Sequence, residues 1–465
     1  MKKQLRNGWI IWAVVTALIL VQLAVIYLRN GMTGINLFIQ QWSLSNLTVT
    51  LEATAYTWLA FGALMYLLWR GKINKDNALL LGGMFLIVLL YMNILRERFR
   101  YGDYQYYLEA ATALYHNQPL PDTYLYLPLW GTLLQFIVPL GDQGMLGILW
   151  TANILALGAF YVLLVRVLER YEFTHEWAAG IAFAFLLINT PLHRALGYVQ
   201  VNLLTMTLIL YAMLHFGKRN FLSALALALA VHLKTSPAAL LPAFLIGGAS
   251  LQLTPQNALK QIQWKWMFFF ALSFLLIACI PLALEGAQPY FDYLANIRAL
   301  TRITDTNFHD TSFDSFFRFL NPFFGIGIET TRRISLAAKA LLAAAALFVM
   351  ARNVRAKTFS ANALLNALPA LFVLMTLASP IVWDHHGLFT ALAFLPLLKR
   401  IHEPAHWLTF GFAYFLEFIL PSFDFFPWSY GRLLAPLLAL WLMERLSRSE
   451  SKPDLEHLFH ANERA

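Results

Sequence analysis

The sequence predicts an all-α polytopic membrane protein, and three observations carry that expectation. The 465 residues are 59% hydrophobic and only 13% charged, with a mean hydropathy of +0.58, whereas a water-soluble domain carries roughly a quarter charged residues. Apolar runs close to the roughly 20 residues that a membrane helix needs recur along the chain. The basic residues gather in the short loops between those runs, as positive-inside bias requires.

In chain order the candidate segments lie near 9–28, 51–69, 78–95, 145–165, 177–190, 200–216, 221–233, 236–248, 266–284, 334–350, 362–378, 386–398, 405–420 and 430–443. Several are short enough to be re-entrant or paired half-helices, so about 12–14 crossings are expected. The start, MKKQLRNGWIIW, has a basic flank and a long apolar run without a small-residue cleavage site, which reads as a retained signal anchor. With Lys2, Lys3 and Arg6 cytoplasmic, alternate loops carry Arg70, Lys72, Lys75, Arg166, Arg170, Lys218, Arg219, Arg352, Arg355 and Lys399. About 21 of the 34 basic residues then share one side. The stretch 129–140 must lie flat or re-enter, because a crossing there would place Arg166 and Arg170 outside. Cys279, the one cysteine, excludes an intramolecular disulfide and reads as a small core residue. From Glu444 the chain is polar and reads as a cytoplasmic tail, 444–465. The net charge of +9 is spread over loops rather than concentrated, which argues for membrane lipids and against nucleic acid as a partner. No GxxxxGK[ST], GxGxxG after a strand, HExxH or DxD is present, so neither a cofactor nor a metal is expected.

The opposite face collects the polar pieces: an insert at 96–144, the turn Pro191–Gln200, a loop at 285–333 and the junction Trp383–His386. Arg96, Arg98 and Arg100 break the charge bias on this face. They read either as cations held for an anion or as a snorkelling cluster. Asp103 opens an amphipathic run with aromatic or apolar residues at 104, 107, 108, 111 and 114, suited to an interfacial helix. Asn117, Pro119 and Pro121 end it, and a second short helix starts at Pro128. Asp103 is either a cap for the helix that follows or a carboxylate offered for chemistry. Lys234 sits in LALAVHLKTSPAALLP beside a helix break. A charge at membrane depth costs about 2.5–3.5 kcal/mol, so this one either snorkels or meets an anion, with phosphate the natural partner. His385 and His386, adjacent on a helix, point about 100° apart and make a poor metal pair. One imidazole facing a cavity, oriented by Asp384, suits anion binding or proton handling; a polar helix start is the other reading. Gln200 and Asn202 can bind hydroxyls or satisfy neighbouring backbone. The 285–333 loop, too long for a connector, carries Arg298, Arg302, Asn307, His309, Asp310, Ser312 and Arg318, and its FDSFFRFL end suggests a lid on the bilayer.

Taken in order, these elements resemble the membrane glycosyltransferases of the GT-C fold, and among them glycosyltransferase family 87. The family pattern, roughly D-[FY]-x-x-Y-Y-x-A-A-x-A-L, is followed by Asp103 to Leu114 except that Leu108 stands at the second tyrosine, and Tyr-Pro-Pro-Leu by Tyr126-Leu127-Pro128-Leu129, with the first proline lost. Gly-Gln-Val-Asn appears as Val199-Gln200-Val201-Asn202, its glycine replaced. Lys-x-x-Pro is Lys234 to Pro237, and Ser-Pro-x-x-Trp-x-His-His is Ser379 to His386. Two features depart from the pattern. The acidic loop follows the third apolar segment rather than the first, so 1–77 reads as additional N-terminal helices before a core at 78–443. The Asn-Gln-Ser element of the late loop is degenerate near His309 to Ser312.

The resemblance implies an inverting transfer of a sugar, mannose favoured, from a polyprenyl-monophosphate donor to a hydroxyl of a lipid or glycan acceptor, at the extracytoplasmic face of the cell membrane. Asp103 would be the general base. Lys234, His385, His386, Arg96, Arg98 and Arg100 would hold the donor phosphate. Tyr106, Tyr107, Gln200, Asn202, His309 and Asp384 would contact substrate. The rival classes are an envelope polysaccharide polymerase or ligase using a lipid diphosphate, a lipid-linked sugar transporter with buried charges near the midplane, and a scaffold indifferent to Asp103.

Overall fold

A computed structural model describes residues 2–40, 47–96, 102–247, 262–300, 310–421, 426 and 428–449. No strand occurs among them. The chain is therefore an all-α membrane protein: each backbone N–H and C=O inside hydrocarbon must be satisfied within its own segment. Five helices among the described residues are long and apolar enough to cross a membrane, six if a broken pair counts as one. Much of what remains of the expected segments is built as shorter apolar helices.

The chain packs as two units. The first comprises Met1–Phe99, Leu157–Val165 and Thr174–Leu187. It holds α1 (Lys2–Gln40), α2 (Leu47–Trp69) and α3 (Lys75–Arg96). Helix α1 is broken at Gly31, whose φ of 57° no ordinary side chain adopts cheaply. Small residues and indoles join α1 to α2, as they must where no hydrophobic force acts between helices in lipid. Trp12 donates to the Trp58 carbonyl at 2.9 Å, and Trp12 lies so close to Gly62 that a Cβ there would meet the ring at 2.2 Å. Ile11, Leu18, Leu20 and Leu28 stay exposed, as a lipid-facing surface does.

The second unit comprises Arg100–Ala156, Arg166–Phe173 and Ile188–Ala465. It begins with α4 (Tyr104–Tyr115) and α5 (Pro128–Leu134). Buried residues 104, 107, 110, 111 and 114 form one face of α4, which packs with Tyr124, Leu134, Met145 and Val199 in one apolar cluster. Asn117 ends the run with φ 55°. The stretch 129–140 is α5 followed by a 3₁₀ turn, Gln135–Leu140, and a break at Gly141 (φ 69°). Then come α6 (Gly141–Arg170), shared between the units, α7 (His175–Leu187) of the first unit, α8 (Thr190–Gly197), α9 (Asn202–His215), α10 (Asn220–Leu233) and α11 (Leu241–Ile246). The Pro191–Gln200 turn is thus mostly helix, started by Asn189, whose side chain accepts the Leu192 N–H at 2.8 Å. After α12 (Trp264–Glu285) and α13 (Gln288–Leu300), the described part of the long loop resumes as α14 (Phe313–Phe324). Ser312 caps α14 by accepting the Ser315 N–H at 3.2 Å.

The C-terminal part contains α15 (Ile328–Ala356), α16 (Ala363–Leu377), α17 (Ala391–Phe394), α18 (Pro404–Tyr414) and α19 (Gly431–Ser449). Here the structure corrects three expectations. The segment 386–398 is not one α-helix: it runs as 3₁₀ (Asp384–Thr390), the single turn α17, and 3₁₀ again (Leu395–Lys399). Pro396 removes an N–H from the ladder. The Thr390 hydroxyl lies within hydrogen-bond distance of the Gly387 carbonyl, 2.8 Å, and of Glu417 Oε1, 2.9 Å. Cys279 is exposed on α12 rather than a core residue. Helix α19 continues past Glu444, which pairs with Arg352 at 2.9 Å and Arg448 at 2.5 Å; residues 450–465 lie outside the described part.

Candidate active site

Within the second unit a cavity of about 730 Å³ is lined by Asp103 just before α4, Tyr106 on α4, Tyr126 from the loop before α5, Arg194 on α8 and Tyr198 just after it. Lys234 to Ser236, Asn296 on α13, Ser379 to Ile381 and Trp383 to His386 complete it. Five sequence elements far apart in the chain therefore face one volume.

Asp103 occupies the residue before α4, but its side chain makes no cap hydrogen bond. The capping explanation fails, and no hydrogen bond to its carboxyl is found among the described residues. Burial pushes its pKa up to about 6, opposed by the positive charge of Lys234. Close approach of the backbone makes room for it: a Cβ at Gly102 would come within 2.5 Å of the Tyr198 ring.

Lys234 stands in the break after α10, outside both flanking apolar helices, with an extended φ of −155°. Its ammonium donates to Asn202 Oδ1 at 2.8 Å, meets His386 Nε2 at 2.5 Å, and lies 5.3 Å from the Phe389 ring centre. Desolvation pushes its pKa down to about 7, countered by Asp103. His386 Nδ1 lies 3.1 Å from the Trp383 nitrogen. Lys234 Nζ and His386 Nε2 thus meet at one point of the cavity wall. A charged Lys234 donates there to Nε2 and to Asn202, and keeps a third N–H to offer an anionic oxygen. His385 lies beside them, its pKa well below the usual value because of burial and then the charges of Lys234 and Arg194.

Several side chains position these groups from behind. Asn202 is fully buried and donates to the His385 carbonyl at 3.2 Å while accepting from Lys234. Tyr107, also fully buried, shares hydrogen bonds of 3.1 Å with Tyr126 and with Gln200 Oε1. Tyr107, Gln200 and Asn202 are absent from the cavity lining, whereas Tyr106 is half open to it. Val199 stands where the resemblance has glycine. Its φ of 54° is a strained backbone for a β-branched residue, held by burial in the cluster that contains Tyr107.

Asp384 lines the cavity but its Oδ1 accepts from Arg432 at 2.7 Å, and Arg432 also donates to the carbonyls of Glu417 and Leu420. Asp310 staples the end of the long loop to the stretch just before the histidines by accepting N–H groups of Val382 at 2.9 Å and Ser312 at 3.0 Å. Of the remaining expected residues, Arg98, Arg100 and His309 lie outside the described residues. Arg96 ends α3, in the first unit, without a described side chain.

Two arginines escape a reading of the sequence. Arg194 lines the cavity and donates to the Tyr198 hydroxyl at 2.8 Å. Its signal is the one that marked Arg96 to Arg100: a cation on the face that positive-inside bias disfavours. Arg432 carries no local signal, because its partner Asp384 is 48 residues away.

The arrangement offers the Asp103 carboxylate, which no hydrogen bond engages among the described residues, in the same cavity as Lys234 and Arg194. A model of glycosyltransferase family 87 matches residues 124–380, more than half of the chain. That stretch includes Tyr126, Arg194, Lys234 and Ser379 and stops short of Asp103 and the two histidines. No curated protein matches the chain.

Proposed function

The chain belongs to glycosyltransferase family 87 and is a membrane glycosyltransferase; on that premise we propose that its donor is a polyprenyl-monophosphate sugar. The sugar goes, with inversion, to a hydroxyl of a lipid or glycan at the extracytoplasmic face. The resemblance favours mannose. Positive-inside bias supports the orientation, because the cavity-forming loops carry few of the basic residues that flank the other helix ends.

The observation that supports this reading most is the placement of Asp103 in the same cavity as Lys234, Arg194, His385 and His386. The acceptor oxygen attacks the anomeric carbon and a new C–O bond forms as the bond to the phosphate oxygen breaks. The acceptor proton goes to Asp103, and the polyprenyl phosphate departs with the bonding pair. A carboxylate whose pKa is raised to about 6 is still ionised at neutral pH and is a stronger base than an ordinary aspartate. Lys234, with His386 beside it, offsets the growing charge on the leaving phosphate. Tyr106 and Tyr126 line the volume that a sugar ring would fill.

The test separates this from rival classes. Purified protein in liposomes with a radiolabelled polyprenyl-phosphate mannose and total envelope lipid is expected to consume the donor without ATP or an ion gradient. Consumption that requires a gradient, or that occurs only with a lipid diphosphate, contradicts the proposal.

A further inference from the structure

Two cations, Lys234 and Arg194, line the main cavity. The ammonium of Lys234 is shared between Asn202 and His386. Asp384, the carboxylate beside the histidines, is taken up by Arg432. Arg194 makes no ion pair among the described residues, and its one hydrogen bond runs from Nη1 to the Tyr198 hydroxyl at 2.8 Å. A guanidinium carries five N–H donors in a rigid fork that matches the oxygens of a phosphate. Most of that fork is therefore still on offer to the cavity.

The fold holds the fork at a fixed place in the site. Helix α8 packs on the 3₁₀ segment Asp384–Thr390, so closely that a Cβ at Gly387 would come within 2.9 Å of Pro191. The Tyr198 ring packs against Gly102, the neighbour of Asp103, and lies edge-on to His385 at 6.5 Å. His385 meets His386 edge-on at 4.7 Å, and His386 touches Lys234. Arg194 and Lys234 thus stand at the two ends of one row of contacting side chains, with both imidazoles between them.

The chemistry of the leaving group gives the second cation a task. A polyprenyl-phosphate sugar is a phosphodiester with one negative charge, and its phosphate departs as a monoester that carries close to two. The added charge appears as the bonding pair moves onto the oxygen released by the anomeric carbon, while the acceptor proton passes to Asp103. A cation that meets this charge only as it develops lowers the barrier without tightening the bound donor.

We propose that Arg194 is a further catalytic residue of the transfer, whose free N–H groups meet the second negative charge as it develops on the departing phosphate. Lys234 engages the phosphate from the bound donor onward. Tyr198 is a positioning residue, which fixes the guanidinium by accepting from it. The role in transfer rests on the function proposed above; the preference for a doubly charged phosphate does not.

Two measurements on the full-length protein in mild detergent test the proposal, with unfolding midpoints as the check on folding. The first is transfer from a short-chain polyprenyl-phosphate mannose, read as the single-turnover rate at saturation and as KM for the donor. Arg194→Gln is expected to slow the chemical step about 10²-fold, as loss of an oxyanion donor does, and to change KM less than about threefold. Arg194→Lys keeps the charge but loses the fork, and should still slow the step about tenfold. Tyr198→Phe keeps the ring against Gly102 and should slow it less than Arg194→Gln does, again with KM held. A rate like that of wild type in either folded Arg194 variant, or a loss confined to KM, would overturn the proposal.

The second measurement needs no turnover. It compares binding of farnesyl phosphate, a dianion at about pH 8, with binding of its methyl ester, a monoanion. Wild type should favour the dianion, and Arg194→Gln should reduce that preference at least about tenfold, the effect of one charge-assisted contact. Lys234→Ala should weaken both ligands. An unchanged preference in Arg194→Gln would overturn the proposal. A preference that depends on Arg194 in a protein that transfers nothing from a polyprenyl-phosphate sugar would strike the function proposed above and leave Arg194 as the group that meets the second phosphate charge.

Discussion

Asp103 and Lys234 shift each other's titration, and the sign of each shift predicts a pH profile. Burial raises the carboxyl pKa to about 6, so the base form is lost as the pH falls through 6. The free-enzyme pH profile of kcat/KM for transfer should therefore show an acid limb near 6; a limb near 4, where an ordinary aspartate titrates, would contradict a buried base. Lys234 touches Asn202 and His386 rather than the side of the cavity where α4 lies. Lys234→Ala should raise KM for the donor well above any change in KM for the acceptor, measured by initial rates at varied concentrations of each substrate. Equal losses would make it a structural lysine. These residues were legible because each sits in an ordered local pattern: an acid before an amphipathic run, a lysine at a helix break, a Ser-Pro-x-x-Trp-x-His-His run. Their supports were not. Nothing near Asn202 in the chain says that its amide binds both a lysine 32 residues on and a histidine carbonyl 183 residues on.

The 3₁₀ segment Asp384–Thr390 is the element that presents both imidazoles, and it is held by a buried ion pair. Arg432 on α19 fixes Asp384 at its start, while Thr390 at its end is tied to Glu417. Removing one partner of a buried pair leaves an uncompensated charge, at a cost of about 3–5 kcal/mol. Arg432→Met should lower the thermal unfolding midpoint in detergent clearly, and adding Asp384→Leu should restore part of it. A midpoint unchanged by the single substitution would show that the pair does not hold the segment. Apolar composition here suggested a plain α-helix, and hydropathy cannot distinguish α from 3₁₀ backbone in a stretch buried on all sides. Helix α14 was legible by contrast, because FDSFFRFL repeats its aromatic residues at helical spacing.

At the scale of the molecule, the apolar surface of α1, α12 and α15 is what a lipid solvent requires, and charge bias is the ground for the orientation we propose. The lone cysteine makes that orientation testable. In a Cys279→Ser background, Glu109→Cys should react with a membrane-impermeant maleimide in intact cells, and Lys218→Cys only after permeabilisation. The reverse pattern would turn the cavity to the cytoplasm and remove the proposed donor side. The all-helical class was open to a reading of composition, and the grouping of residues 103, 234 and 386 to the resemblance; the place of Arg194 in that cavity was not, since it arises from helices that meet only in three dimensions. That grouping is tested most directly by turnover from a polyprenyl-phosphate sugar in proteoliposomes, with Asp103→Asn compared at equal folded protein. A loss of about 10²–10⁴-fold with the unfolding midpoint unchanged is the expected result for a general base. Turnover near that of the wild type would contradict it.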